Sequence, residues 1–250
     1  QQMKKKKKYW KKNQKRRGKD GDIYDSTLKV FYANVTYLGK DPIAHIMNRP
    51  EHVVLIVESH LRDEAAYKAM NEIKFAGWVP IMAPAVKAED NPNGTRGGAM
   101  LFHRPWQQAA TPAIAEGPQG WELPEDDIAW KHFRIKGLHI VIATIYFDHT
   151  IGLAGNNLHK FNKAVHLTDN GKRMLILPGD FNMEPDDWDQ QLLKAAGLQI
   201  MAVGDEQTCK TSHGSKQNDY LLVSIDLVPF IKNMKIVADV PWEPHAALSF

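Results

Sequence analysis

Short apolar runs alternate with longer amphipathic stretches from Leu28 to the last residue. Residues 28–34 ("LKVFYAN") read as a strand ending in polar residues. Residues 53–57 ("VVLIV") are continuously apolar, the pattern of a strand buried on both faces. Residues 63–75 carry Ala66, Met70 and Ile73 on one side at helical spacing. Helices are also predicted over 157–167 and over 187–196, the second closed by Gly197. Further strands are expected at 78–82, 99–102, 174–177, 220–223, 234–238 and 246–250. Residues 129–135 and 138–147, split by Lys136-Gly137, read as a hairpin. Residues 104–127, with four Pro, read as an irregular loop or flap. No internal repeat or second break in composition interrupts this order. It predicts one α/β domain over 26–250, with sheets in the middle and helices outside.

Composition excludes more than it identifies. The chain has 250 residues, 43% hydrophobic and 24% charged, which is ordinary for a soluble protein. Its longest apolar run, 138–147, contains His139 and is too short to span a bilayer, so no membrane partner is expected. The start does not resemble a signal peptide. The one cysteine, Cys209, can form neither an internal disulfide nor a thiolate zinc site, and a reducing intracellular compartment is the default.

Charge changes the picture at one end. Residues 1–19 hold eleven Lys or Arg between Lys4 and Lys19 and no acid, leaving 21 bases against 29 acids for the remainder. The net charge of +3 therefore conceals an acidic domain behind a basic arm, residues 1–25. Such a block repels itself and is expected to be disordered in isolation. It suits a nuclear-localisation segment, a phosphate-binding arm that chooses no sequence, or a plain solvated terminus.

The candidate chemistry lies where predicted strands end. One strand ends at Asn34, the next at Glu58, and the run from Met174 delivers Asp180-Phe181-Asn182 in "ILPGDFN". Asp219 precedes "YLLVS", and His245 precedes the last strand in "EPHAALSF". A single carboxylate at a strand end is commonly a cap or turn residue. Five positions in the order Asn, Glu, Asp-x-Asn, Asp, His are harder to obtain by accident, and polar groups gathered at strand ends are where α/β sheets usually bind ligands. Asp186 and Asp187 read as acids of a helix's first turn. "NGTRGG" and "GKR" lack the ending of a P-loop.

Order and motifs together resemble the endonuclease/exonuclease/phosphatase (DNase I-like) superfamily over residues of about 28–250. "GDFN" with "NDYLLVS" and a terminal His-bearing strand carry the resemblance. It implies a four-layered α/β (α+β) sandwich, two central mixed β-sheets flanked by helices. It also implies a Mg²⁺- or Mn²⁺-dependent phosphodiesterase, since a hard oxygen site suits those ions. By this resemblance Glu58 is the metal carboxylate with Asn34 beside it, and Asp180 orients the attacking water. Asn182 would donate to the phosphoryl group, pointing with Asp180 if extended geometry persists. His245 would contact the phosphate with Asp219 on its other nitrogen. Tyr146 would contact phosphate, although "YFDHTIG" offers His149 as well.

Two family acids are absent, with Thr36 in "NVT" and Pro244 before His245 standing in their places. The style is nearer to retroelement endonucleases than to inositol-phosphate phosphatases, whose Cys-Asp-Arg signature is missing. DNA is thus favoured over RNA as partner. RNA or a small phosphoester, and a catalytically degenerate nucleic-acid-binding module, are the alternatives. A chain that begins without Met and ends after the His-bearing strand also fits an excerpt of a longer polypeptide.

Overall fold

A computed structural model describes residues 27–88, 94–105, 128–135, 137–212 and 214–250. The basic arm lies outside these residues, as does the 104–127 loop apart from Arg104 and Pro105. Two sheets form the centre. The first contains β1 (Val30–Asn34), β2 (Val53–Val57), β3 (Val79–Ala83), β6 (Ala99–His103), β14 (Lys235–Val237) and β15 (Ala247–Ser249), in the order β14-β15-β1-β2-β6-β3. The second contains β7 (Ile128–Ile135), β8 (Leu138–Tyr146), β9 (Met174–Asp180), β10 (Leu198–Met201) and β13 (Asp219–Ser224), in the order β10-β13-β9-β8-β7. Each is mixed: β1–β2 and β8–β9 are parallel, while their other pairings are antiparallel. Two small hairpins, β4 (Val86–Lys87) with β5 (Thr95–Arg96) and β11 (Cys209–Thr211) with β12 (Gly214–Lys216), complete the strands.

Strand alternation builds the layers. Val30, Tyr32, Leu55, Ile142, Ile176, Leu221 and Val223 meet in the core between the sheets. Their neighbours Phe31, Val54 and Met100 face α1 (Lys40–Met47) and α2 (Asp63–Phe75), packing on Ile43, Ile46, Ala66 and Ile73. On the far side Val141, Leu175 and Leu222 pack on Phe161 and Ala164 of α3 (Gly155–His166) and Leu193 of α4 (Gln190–Ala195). The result is helix, sheet, sheet, helix, as the resemblance implied. Most predicted elements fall in place, α2 with the same ends.

Two departures have local causes. The helix α1 was not among the predicted elements; it holds Pro42 in its first turn, where a proline costs no internal hydrogen bond. The helix predicted over 187–196 is broken. A 3₁₀ turn at Pro185–Asp187 is closed by reciprocal Glu184 and Asp187 capping, and Asp189 then caps α4 by accepting from the Gln191 and Leu192 N–H groups.

Gly179 is set by close approach. A Cβ there would lie 2.5 Å from Ile145 Cγ2 and 2.7 Å from the Ile145 carbonyl oxygen on β8. Backbone cannot swing aside like a side chain, so Gly179→Ala should destabilise the fold by about 3 kcal/mol or more. Urea unfolding measures this directly; an unchanged midpoint would contradict the spacing of β8 and β9.

Candidate active site

Asn34, Tyr146, Asp180 and Asp219 occupy strand ends and fall in the same alternation class as the residues between the sheets. They gather where that core opens. The chain after β2 supplies Glu58, which alternation alone would turn toward the helix layer. Its backbone is left-handed, φ 53°, and the side chain comes round to the cluster. The last member, His245, lies just before β15 and bridges to Cys209 of β11.

The groups form one bonded network. Asn34 Nδ2 donates to Glu58 Oε2 at 2.6 Å and to Asp180 Oδ2 at 2.8 Å. Both amide hydrogens are then used, so the 3.5 Å approach of His245 Nε2 to the same nitrogen is a contact rather than a third bond. The Asn34 carbonyl Oδ1 accepts from the Thr36 N–H at 2.9 Å. Asn34 therefore lies beside Glu58, as the resemblance implied, and presents nitrogen to the acids and holds them. His245 Nδ1 donates to Asp219 Oδ2 at 2.8 Å, while the Tyr32 hydroxyl donates to Asp219 Oδ1 at 3.0 Å. His245 Nε2 then faces Asp180 Oδ2 at 3.8 Å.

Asn182 departs from expectation. The strand stops at Asp180, and Asn182 is left-handed at φ 49°, so extended alternation does not persist. Its N–H donates to Asp180 Oδ1 at 3.0 Å and its Nδ2 to the Phe147 carbonyl at 2.8 Å. Asn182 fixes the Asp180 carboxylate and the end of β8 rather than directing its amide beside Asp180. Tyr146 pairs with Asp180 across β8–β9. His149 lies exposed in the following turn and takes no part in the network's hydrogen bonds.

Sequence reading missed several supports. Tyr32 sits two residues before Asn34, on the same face of β1, a signal that alternation carries. In α3, Asn157, Lys160, Phe161 and Ala164 form one buried stripe at helical spacing, with two polar members where apolar ones belong. Asn157 clamps the Asp148 N–H and carbonyl, and buried Lys160 donates to the Tyr146 carbonyl at 3.1 Å and to Asp148 at 3.4 Å. His60, two residues beyond Glu58, places Nε2 at 3.9 Å from Glu58 Oε1.

Burial, with Asp219 and Glu58 close by, pushes the Asp180 carboxyl well above its usual range despite His245. Burial alone would lower His245, but Asp219 outweighs it and raises the ring to about 11. Folded Asp180 thus keeps a proton that an unfolded chain loses above about pH 4, and folded His245 keeps one that an unfolded chain loses near 6.5. A folded state holding more protons loses stability as pH rises. His245's contribution is complete below its unfolded value and disappears toward 11, while the cost of Asp180 grows above pH 4. Metal-free protein in EDTA should therefore melt at progressively lower temperature from pH 6 to pH 10; a flat or rising profile would refute this charge assignment.

Glu58, Asp180 and His245 each offer a donor atom, all within 4.8 Å of one another. Two carboxylates, Glu58 partly exposed and Asp180 buried, suit a hard divalent cation. Asp219, hydrogen-bonded to Nδ1 of His245, favours the protonated ring, so its Nε2 is better suited to donate than to ligate.

This arrangement of sheets and helices is the DNase I-like fold, shared with solved structures of nucleases and an endonuclease/exonuclease/phosphatase family protein. Among solved structures, an AP endonuclease from Leishmania major matches at a TM-score of 0.68 with 13% identity, over 93% of this chain and 90% of that one. The endonuclease domain of TRAS1, a telomere-specific non-LTR retrotransposon, matches at 0.61 with 17% identity, over 90% and 97%. A 3'-5' exonuclease from Neisseria meningitidis matches at 0.59 with 17% identity, over 88% and 98%. By sequence, no family model and no curated protein matches.

Proposed function

We propose that this chain is a Mg²⁺- or Mn²⁺-dependent phosphodiesterase that nicks DNA, of the retroelement type. One observation carries the reading: Glu58, Asp180 and the Asp219–His245 pair converge in one bonded network at the mouth of the inter-sheet core. Glu58, with Asp180 at its side, would hold the cation. When bound, the ion neutralises phosphoryl oxygens and offsets the mutual repulsion of the acids. Asp180, its carboxylate fixed by the Asn182 N–H and Asn34, accepts a hydrogen bond from water and aims it at phosphorus. Protonated His245 donates from Nε2 to the phosphoryl oxygen, stabilising charge as it develops. Tyr146, paired with Asp180 across β8–β9, would contact the phosphate from the neighbouring strand. The Lys/Arg-rich arm at 4–19 adds phosphate affinity that the acidic domain lacks.

Nicking of supercoiled plasmid in Mg²⁺, with and without EDTA, tests the reading when wild type is compared with Asp180→Ala. If wild type neither nicks DNA nor cleaves RNA or model phosphoesters, it is not an enzyme of this kind and the degenerate binding module stands instead. A second reading, RNA or a small phosphoester as substrate, is favoured by the excess of acids beyond residue 19, because a duplex-binding surface is normally positive. Cleavage of those substrates without plasmid nicking would select it.

A further inference from the structure

Tyr37 is unusual among the aromatic residues near the cluster in being 61% exposed. Its loop leaves β1 directly after Asn34 and is tied down on every side. The Thr36 N–H donates to Asn34 Oδ1 and the Thr36 hydroxyl to the Glu243 carbonyl at 2.9 Å, next to Pro244 and His245. Leu38, buried, donates its N–H to the Ser59 carbonyl at 3.1 Å, beside Glu58. Tyr37 is thus held between one tie to the His245 loop and another to the Glu58 loop. One edge of its ring lies against Gly39, where an added Cβ would come within 3.2 Å of Tyr37 Cε1. A side chain at 39 would push the ring away. The fold therefore holds an exposed aromatic on a loop tied to both the Glu58 and His245 segments, with one ring edge against Gly39. No core packing explains it.

Resting on the phosphodiesterase reading, we infer that Tyr37 is a nucleobase-stacking subsite: it takes the unpaired base of a nucleotide next to the scissile phosphate. Every base has a π-face, so a platform of this kind selects nucleic acid over sugar phosphates without choosing a sequence. It also requires a base free of its partner, at a frayed end, a single strand or a nucleotide swung out of the duplex.

The test uses full-length protein and single-stranded DNA oligonucleotides carrying 2-aminopurine. In EDTA, wild type should quench the probe on binding, and Tyr37→Ala should abolish the quench and weaken binding about tenfold. Tyr37→Phe should restore both. In Mg²⁺, kcat/KM on the oligonucleotide should fall about tenfold in Tyr37→Ala, and the loss should vanish on a strand whose residues are tetrahydrofuran abasic sites. An equal quench in Tyr37→Ala, or an equal loss on the abasic strand, overturns the inference. Quenching by wild type with no cleavage of any substrate upholds the stacking subsite while removing the phosphodiesterase reading.

Discussion

Asp180→Ala is expected to lower plasmid nicking by about a thousandfold or more, while the metal-free variant melts no lower than wild type at pH 8. The two effects share a cause. Asp180 is buried beside Asp219 and Glu58, with only His245 to offset them. Its charge is costly in the empty site and valuable only once water and a cation are present. Removing it leaves the Asn182 N–H and one Asn34 N–H without their acceptor, a loss of about 1–3 kcal/mol per group if water cannot reach them. Asn182 is half-buried, so water can replace part of that loss, and relief from a crowded carboxylate outweighs the remainder at alkaline pH. Two measurements decide the matter: Mg²⁺ should raise the melting temperature of wild type and leave that of Asp180→Ala unmoved. A variant that keeps a tenth of the activity, or melts several degrees below wild type at pH 8, would show that Asp180 is structural.

His245→Ala is the second large effect, a fall in kcat by about a hundredfold to a thousandfold. Asp219 accepts from its Nδ1 at 2.8 Å, and Tyr32 occupies the other Asp219 oxygen, so the acid has one task left. Asp219 strengthens the ring's hold on its proton, so under the phosphodiesterase reading His245 would serve as a donor rather than a base. The wild-type rate should then show no limb from His245 between pH 6 and pH 8. Asp219→Asn removes the charge that raises the ring and should bring such a limb into the neutral range. A wild-type limb at the ordinary histidine value that disappears in His245→Ala would reverse the assignment and make His245 a general base.

Much of this centre was legible because strands alternate. Once the apolar runs were placed, Asn34, Asp180 and Asp219 stood at strand ends, and alternation in the fold turns all three toward the space between the sheets. What parity could not carry is where the backbone leaves the strand. Glu58 and Asn182 are both left-handed, which brings Glu58 in and turns the Asn182 amide to Phe147. The amide orientation of Asn34 depends on the Thr36 N–H, a main-chain donor with no sequence signature. Lys160 was hidden because a lysine in a helix usually reads as solvated, although its place in the stripe with Phe161 and Ala164 marked it as buried. The break between Asp187 and Asp189 was missed because three acids within four residues, Asp186, Asp187 and Asp189, allow several caps, and only the fold selects one.

The network draws from both sheets. Asn34, Glu58 and His245 belong to the first, while Tyr146, Asp180 and Asp219 belong to the second, and Tyr32 reaches across to Asp219. The site is therefore a vernier between two independent sheets, reading how one lies on the other. A slip of one residue along a strand is about 3.3 Å, longer than every hydrogen bond that joins the two halves. Leu55, Ile142 and Leu221, which touch no substrate, set that alignment from within the core. Substitutions there that leave stability nearly intact would still detune the proposed chemistry, so under the phosphodiesterase reading the inter-sheet core belongs to the site.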